Sequence, residues 1–134
     1  MFLNLLNESE GQAFMELASQ AMQVNGVIKD CELAVYNDYL AELGLADYTI
    51  ENISFEKAAS AFKHSSMPAK RVVIIELCGI LYSDDEFDSN EQKWIYRLTD
   101  IFKINKAEAD KLIQWSKDFS DFLEVGFLYI NAKA

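Results

Sequence analysis

Asp84-Asp85-Glu86-Phe87-Asp88-Ser89-Asn90-Glu91 sets five carboxylates between two apolar stretches, with no Lys or Arg among them. Fifty-nine residues upstream lies a weaker twin, Asn25-Gly26-Val27-Ile28-Lys29-Asp30-Cys31-Glu32, in which Ile28 matches Phe87 and Glu32 matches Glu91. A fixed offset of this kind marks a duplicated unit. The chain therefore reads as all-α, a single compact helical domain over 1–134. It consists of two repeated helical hairpins (about 7–45 and 66–104), a short linking helix and a long C-terminal helix.

Local signals place the helices. Asn7 with Glu10 forms a capping box before Phe14, Leu17, Ala18, Ala21 and Val24, and Gly26 supplies a stop. Asp30 caps a second helix through Val35, Tyr36, Tyr39, Leu40 and Leu43, and Gly44 ends it because glycine tolerates positive φ. Residues 45–53 read as a connector, and Ser54 caps a short helix through Phe55, Ala58, Ala59 and Phe62. Ser66 and Pro68 open the next helix, whose interior from Val72 to Tyr82 is apolar nearly all round. That pattern fits a central buried helix better than a strand. Its single acid, Glu76, is expected to pair with Arg71. Asp88 with Glu91 and Asn105 with Glu108 form two more capping boxes. The first leads into Trp94, Ile95, Leu98, Ile101 and Phe102, the second into Leu112, Ile113, Trp115, Phe119, Phe122 and Leu123. Both tryptophans read as core aromatics.

Composition narrows the function. A chain of 134 residues that is 51% hydrophobic supports one core, and a net charge of −10 argues against nucleic acid, whose phosphates need Lys and Arg. Cys31 and Cys78 fall on different helices without a Cys-x-x-Cys spacing, which suits free thiols and a cytoplasmic location. The first residues lack the basic flank of a signal peptide. The stretch Val72 to Tyr82 is far short of the ~20 residues of a membrane span. His64, the only histidine, would have to serve any catalytic triad alone, so no catalytic residue and no organic cofactor are assigned.

The acidic turn is the candidate metal site. Carboxylates at a helix C-terminus meet like partial charge, so Asp84 and Asp85 need a compensating partner, whereas Asp88 and Glu91 suit the next helix start. Asp84, Glu86, Asp88 and Glu91 form an all-oxygen set that selects Ca²⁺ or Mg²⁺ over zinc. The loop is not an EF-hand, because Ser89 and Ile95 replace its sixth-position Gly and twelfth-position Glu. In the first copy Lys29 occupies the place of Asp88, which leaves that copy a plain turn. The competing reading takes Asp88 and Glu91 as a capping box and Asp84 to Glu86 as a solvated loop.

The residues at these turns resemble the TerB-like helical domain, a family named after a tellurite-resistance protein and also found in the DjlA co-chaperone group. Its signature is an apolar helix ending in Ala-Asp-Gly-x-Ile or Phe, then an acidic residue opening the next helix. Ser83-Asp84-Asp85-Glu86-Phe87 with Glu91 matches it, with Asp85 in place of the Gly. Val24-Asn25-Gly26-Val27-Ile28 with Glu32 matches more loosely, with Asn25 in place of the Asp. The resemblance covers both hairpins, about residues 10–125. It implies an all-α fold, cation binding at the acidic turns, and a role in stress-response assemblies near the inner membrane face.

Three functional classes follow. The preferred one is a non-catalytic acidic interaction module with a protein partner and a divalent cation at the Asp84–Glu91 turn. The second is a structural adaptor or homo-oligomer without metal, and the third a metal-dependent hydrolase. The terminal stretch Phe127-Leu128-Tyr129-Ile130 bears on the choice. It is expected to fold back on the domain's own core after a helix weakened at Gly126, the alternative being a docking or dimer surface.

Overall fold

The structure, a computed structural model, describes residues 1–24, 30–82 and 88–133, and for residues 30–33 and 35 the helical backbone alone. A 3-10 turn, Leu3–Leu5, precedes α1 (Glu8–Val24), α2 (Asp30–Leu43), α3 (Phe55–Ser60), α4 (Met67–Leu81), α5 (Ser89–Ile101) and α6 (Lys106–Ile130). No strand occurs among the described residues, and the fold is all-α as the periodicity predicts. The expected stop at Gly26 and the side chains of Asp30 and Cys31 lie outside the described residues.

The caps form where the sequence places them. Asn7 Oδ1 accepts from the Glu10 amide at 2.8 Å while Glu10 Oε1 accepts from the Asn7 amide at 3.0 Å, a complete capping box. Ser54 and Ser66 accept from the Lys57 and Ala69 amides at 3.1 and 3.3 Å. Asn105 accepts from the Glu108 amide at 2.8 Å, but the Glu108 carboxylate turns to Arg71 instead of closing the box.

The two halves share their termini at the fifty-nine-residue spacing. Helices open at Glu8 and Met67 and again at Asp30 and Ser89. At the far ends the same Schellman motif recurs. The Leu45 amide donates to Leu40 O at 2.9 Å and the Gly44 amide to Ala41 O at 3.1 Å; Ile104 donates to Thr99 O and Lys103 to Asp100 O at the same two distances. The motif requires a left-handed residue, and Gly44 takes φ +68° whereas Lys103 takes φ 60°. A side chain there costs roughly 1–2 kcal/mol that glycine avoids.

One cluster of buried side chains joins the halves, and α4 runs through it. Val73, Ile74, Leu77, Cys78 and Leu81 are fully buried, covered by α1, α5, α6 and the 3-10 turn. Phe14 meets Tyr39 edge-on at 5.3 Å, and Phe62 packs on Phe102 at 5.4 Å. Trp94 is partly buried against Phe55 at 5.6 Å.

Several expectations about packing are corrected. Glu76 does not pair with Arg71, which bonds Glu108; it accepts from the Met1 ammonium at 3.1 Å and the Phe2 amide at 2.8 Å. The reason is position, since Glu76 lies on the α4 face covered by the N-terminal turn. Ile101 is 40% exposed and Trp115 43%. Trp115 stacks instead on Phe119 at 5.2 Å and tilts against Phe2 at 6.1 Å. The terminal stretch does not fold back either. Helix α6 continues through Gly126 to Ile130, and Phe127, Leu128, Tyr129 and Ile130 are exposed. A single glycine costs a helix only about 1 kcal/mol, too little to end a 25-residue element.

The paired left-handed positions generate opposite mutational signs. Gly44→Ala should destabilise by about 1 kcal/mol, while Lys103→Gly should stabilise by up to about 1 kcal/mol, the strain relief exceeding the added chain entropy. Urea unfolding measures both. Equal signs for the two substitutions would contradict the shared motif.

Candidate functional site

The expected metal turn is only partly within the described residues. Asp84 and Glu86 lie outside them, as do Asn25 to Lys29 of the first copy. Asp88 is exposed and caps α5, its Oδ1 accepting from the Glu91 amide at 2.8 Å. Glu91 is 2% exposed, its side chain carried inward by the first turn of α5. Among the described residues no group of three or more His, Cys, Asp or Glu side chains is placed to share an ion. Of the four expected ligands, then, an exposed capping carboxylate and a buried one are in view, and the cap occupies one oxygen of the first.

At Tyr82, the C-cap of α4, the surrounding charges are negative. Burial raises the Tyr82 hydroxyl above its ordinary range, and the charges of Asp121 and Glu91 add to that, Cys78 acting in the same sense. Asp121 comes from α6, and no local sequence signal could have linked it to Tyr82.

The second candidate is the outer half of α6. Trp115, Phe122, Leu123, Val125, Phe127 and Leu128 are each more than 40% exposed, and Tyr129 and Ile130 reach 79% and 77%. Two grooves flank the helix and share Ser120 and Leu123. One, of ≈ 430 Å³, is bounded by Tyr82, Phe127 and Leu128; the other, of ≈ 290 Å³, by Phe2, Tyr39, Trp115 and Phe119. Between Asp118 and Ile130 the helix carries Asp118, Asp121 and Glu124 and no Lys or Arg. The result is a continuous apolar surface fringed by carboxylates. The amphipathic period of α6 was legible in the sequence, but not that the apolar side chains of its outer half stay exposed.

Two buried carboxylates are structural, and the sequence reading singles out only the second, Glu76. Glu16, 2% exposed, accepts from the Tyr48 hydroxyl at 2.5 Å, the Glu51 amide at 2.9 Å and the Ile53 amide at 3.3 Å. It pins the 45–53 connector onto α1, through a stretch where Asn52 takes φ 58°, a conformation that Asn tolerates. Glu76 does the same for the N-terminal turn. Ser65 donates to Glu10, and the exposed His64 shares a pocket lining with Lys63, Lys70 and Lys103.

A protein-family model described as "Tellurite resistance protein TerB" matches residues 4–114. With that span, from the 3-10 turn into the first third of α6, the chain belongs to the TerB family. Searches of the curated proteins and of the solved structures found no match. The family match ends at residue 114, so the exposed half of α6 lies beyond it.

The buried acids give stability a defined alkaline limit. Burial pushes the Cys78 thiol from its ordinary 9.0 up to about 12, with the Ser116 hydroxyl pulling the other way. The hydrogen bond to Asp110, then burial, takes the Tyr96 hydroxyl from 10.0 up to about 12. Tyr39 and Tyr48 are raised too, chiefly by burial, with Glu76 and Glu16 respectively adding to it. A folded-state pKa above the unfolded one contributes stability that is complete below the unfolded value and lost as pH rises through the folded value. The urea midpoint should therefore fall steadily from about pH 9 to pH 12. A midpoint unchanged across that interval would contradict these placements.

Proposed function

We propose that this TerB-family domain is a non-catalytic docking module whose outer α6 surface seats a basic amphipathic helix of a protein partner. The observation that carries the reading is the run of exposed large apolar residues from Phe122 to Ile130, since monomers seldom leave such a patch uncovered. Charge complementarity selects the occupant. Asp118, Asp121 and Glu124 fringe the patch on a chain of net charge −10, so a Lys-rich helix is attracted where a second copy would bring carboxylate against carboxylate. The acidic turn supplies the second element of the proposal, a Ca²⁺ or Mg²⁺ held by Asp84, Glu86, Asp88 and Glu91 close to the same end of α4. The family's description names tellurite resistance, and the proposal sets the domain in a stress-response assembly of that kind, in the cytoplasm and near the inner membrane face. No helix among the described residues is long and apolar enough to cross a membrane.

The test uses a synthetic twenty-residue Lys/Leu amphipathic peptide and its Glu/Leu counterpart, with Trp115 fluorescence as the readout. The Lys/Leu peptide should bind saturably with a blue shift and the Glu/Leu peptide at least about tenfold more weakly. The double variant Phe127→Ser, Leu128→Ser should abolish binding while leaving stability within about 0.5 kcal/mol, as expected of exposed positions. Equal affinity for the two peptides, or a stable dimer of the free chain by sedimentation, would overturn the docking reading. Independently, Ca²⁺ should shift amide resonances over 84–91 and leave 25–32 still, and Glu91→Gln should remove most of the cation-induced rise in Tm. No shift at millimolar ion, or equal shifts in both copies, removes the cation from the proposal.

A further inference from the structure

At the other end of α4, roughly 18 Å along the helix from Tyr82 to Lys70, a pocket of ≈ 420 Å³ opens between α3, the start of α4 and the end of α5. Lys63, His64, Lys70 and Lys103 line it, and no Asp or Glu does. This concentration is unexpected in a chain with 22 acidic and 12 basic residues. Three other cations are paired: Arg71 with Glu108, Arg97 with Glu56, Lys106 with Asp110. The three pocket lysines form no ion pair among the described residues. The apolar lining is Ala59, Phe62, Ile101 and Phe102, of which Ile101 is open at 40% while Phe62 and Phe102, their rings 5.4 Å apart, are buried.

The backbone supplies a second, independent observation. Lys103 occupies the left-handed position of its Schellman motif, where the equivalent residue of the first half is Gly44. The turn itself needs no side chain there. A lysine held in a conformation that favours glycine, and lining a pocket with two other lysines, points to a use for its ammonium group.

We propose that this pocket binds a small organic anion, a phosphate or carboxylate head group carried on an aromatic or otherwise apolar body. Lys63, Lys70 and Lys103 hold the head group, and Ile101 with the methylene stems of the lysines receives the body. The volume falls in the range of small-molecule sites, and the combination of an apolar wall with a few convergent charges is their usual composition. Lysines act as point charges and so accept either head group, whereas a neutral ligand would leave the ammonium groups unmatched. The site is distinct from the α6 surface and the acidic turn, and it does not depend on the docking proposal.

Phenyl phosphate is the probe, titrated into the full chain and followed by amide NMR beside inorganic phosphate and phenol. Saturable shifts confined to residues 60–64, 70 and 101–104 are expected. Phenyl phosphate should bind at least about fivefold more tightly than either fragment alone, since it uses both halves of the pocket. Phenyl carboxylate, as benzoate, should shift the same residues, and its relative affinity identifies the preferred head group. Lys103→Gly should raise Tm yet weaken phenyl phosphate by about fivefold or more, and Lys70→Gln should weaken it with Tm unchanged. A purely structural lysine would change Tm without changing binding. Absence of saturation by about 10 mM, shifts centred elsewhere, equal affinity for phenol, or unaltered binding in both variants would overturn the assignment.

Discussion

Helix α4 is buried on nearly every side, and the other elements are arranged by the need to cover it. Its interior from Val72 to Leu81 offers apolar atoms in all directions, so no single partner helix suffices. Helix α1 takes one face, α5 another, α6 a third, and the N-terminal 3-10 turn closes the gap that remains. Removing water from such a helix is the largest favourable contribution available to a domain of this size. Each large side chain that α4 buries is worth roughly 1.5–3 kcal/mol.

That packing leaves loops and termini to be attached by polar means. Glu16 and Glu76, both nearly inaccessible, spend their oxygens on backbone amides of the 45–53 connector and the N-terminal turn. A buried carboxylate that lost those donors would carry the full desolvation cost. The two acids thus fix where irregular chain lies against the bundle. They also show why buried acids in this fold need not be reactive: their partners are structural amides, a tyrosine hydroxyl and the Met1 ammonium.

Sequence reading recovered what is local. The caps at Asn7, Ser54, Ser66, Asp88 and Asn105 depend on a side chain three residues from its amide, and the left-handed Gly44 depends on one residue. The fifty-nine-residue offset is likewise a property of the string, and helix starts and Schellman motifs fall on it. What escaped was long-range. Glu76 was matched with Arg71 because the two are near in sequence, whereas its donors are 74 and 75 residues away. Periodicity identified α6 but is the same for a covered and an uncovered helix, so the exposure of Phe127 to Ile130 was misjudged. The lysines at 63, 70 and 103 come from three separate segments and form a pocket only in the fold.

The functional reading rests on a division within α6. Its first half is held by α4, with Ala109, Ile113 and Ser116 buried, while the second half projects with its apolar side chains open. Local stability follows covered area, so the two halves differ in how readily they open. Hydrogen–deuterium exchange along α6 measures this directly. In the free monomer, amides over 109–117 should exchange as slowly as those of α4 and amides over 121–130 at least about a hundredfold faster. Uniform strong protection out to Ile130 would mean that the surface is already covered by the chain itself, and would contradict its assignment as an open docking face.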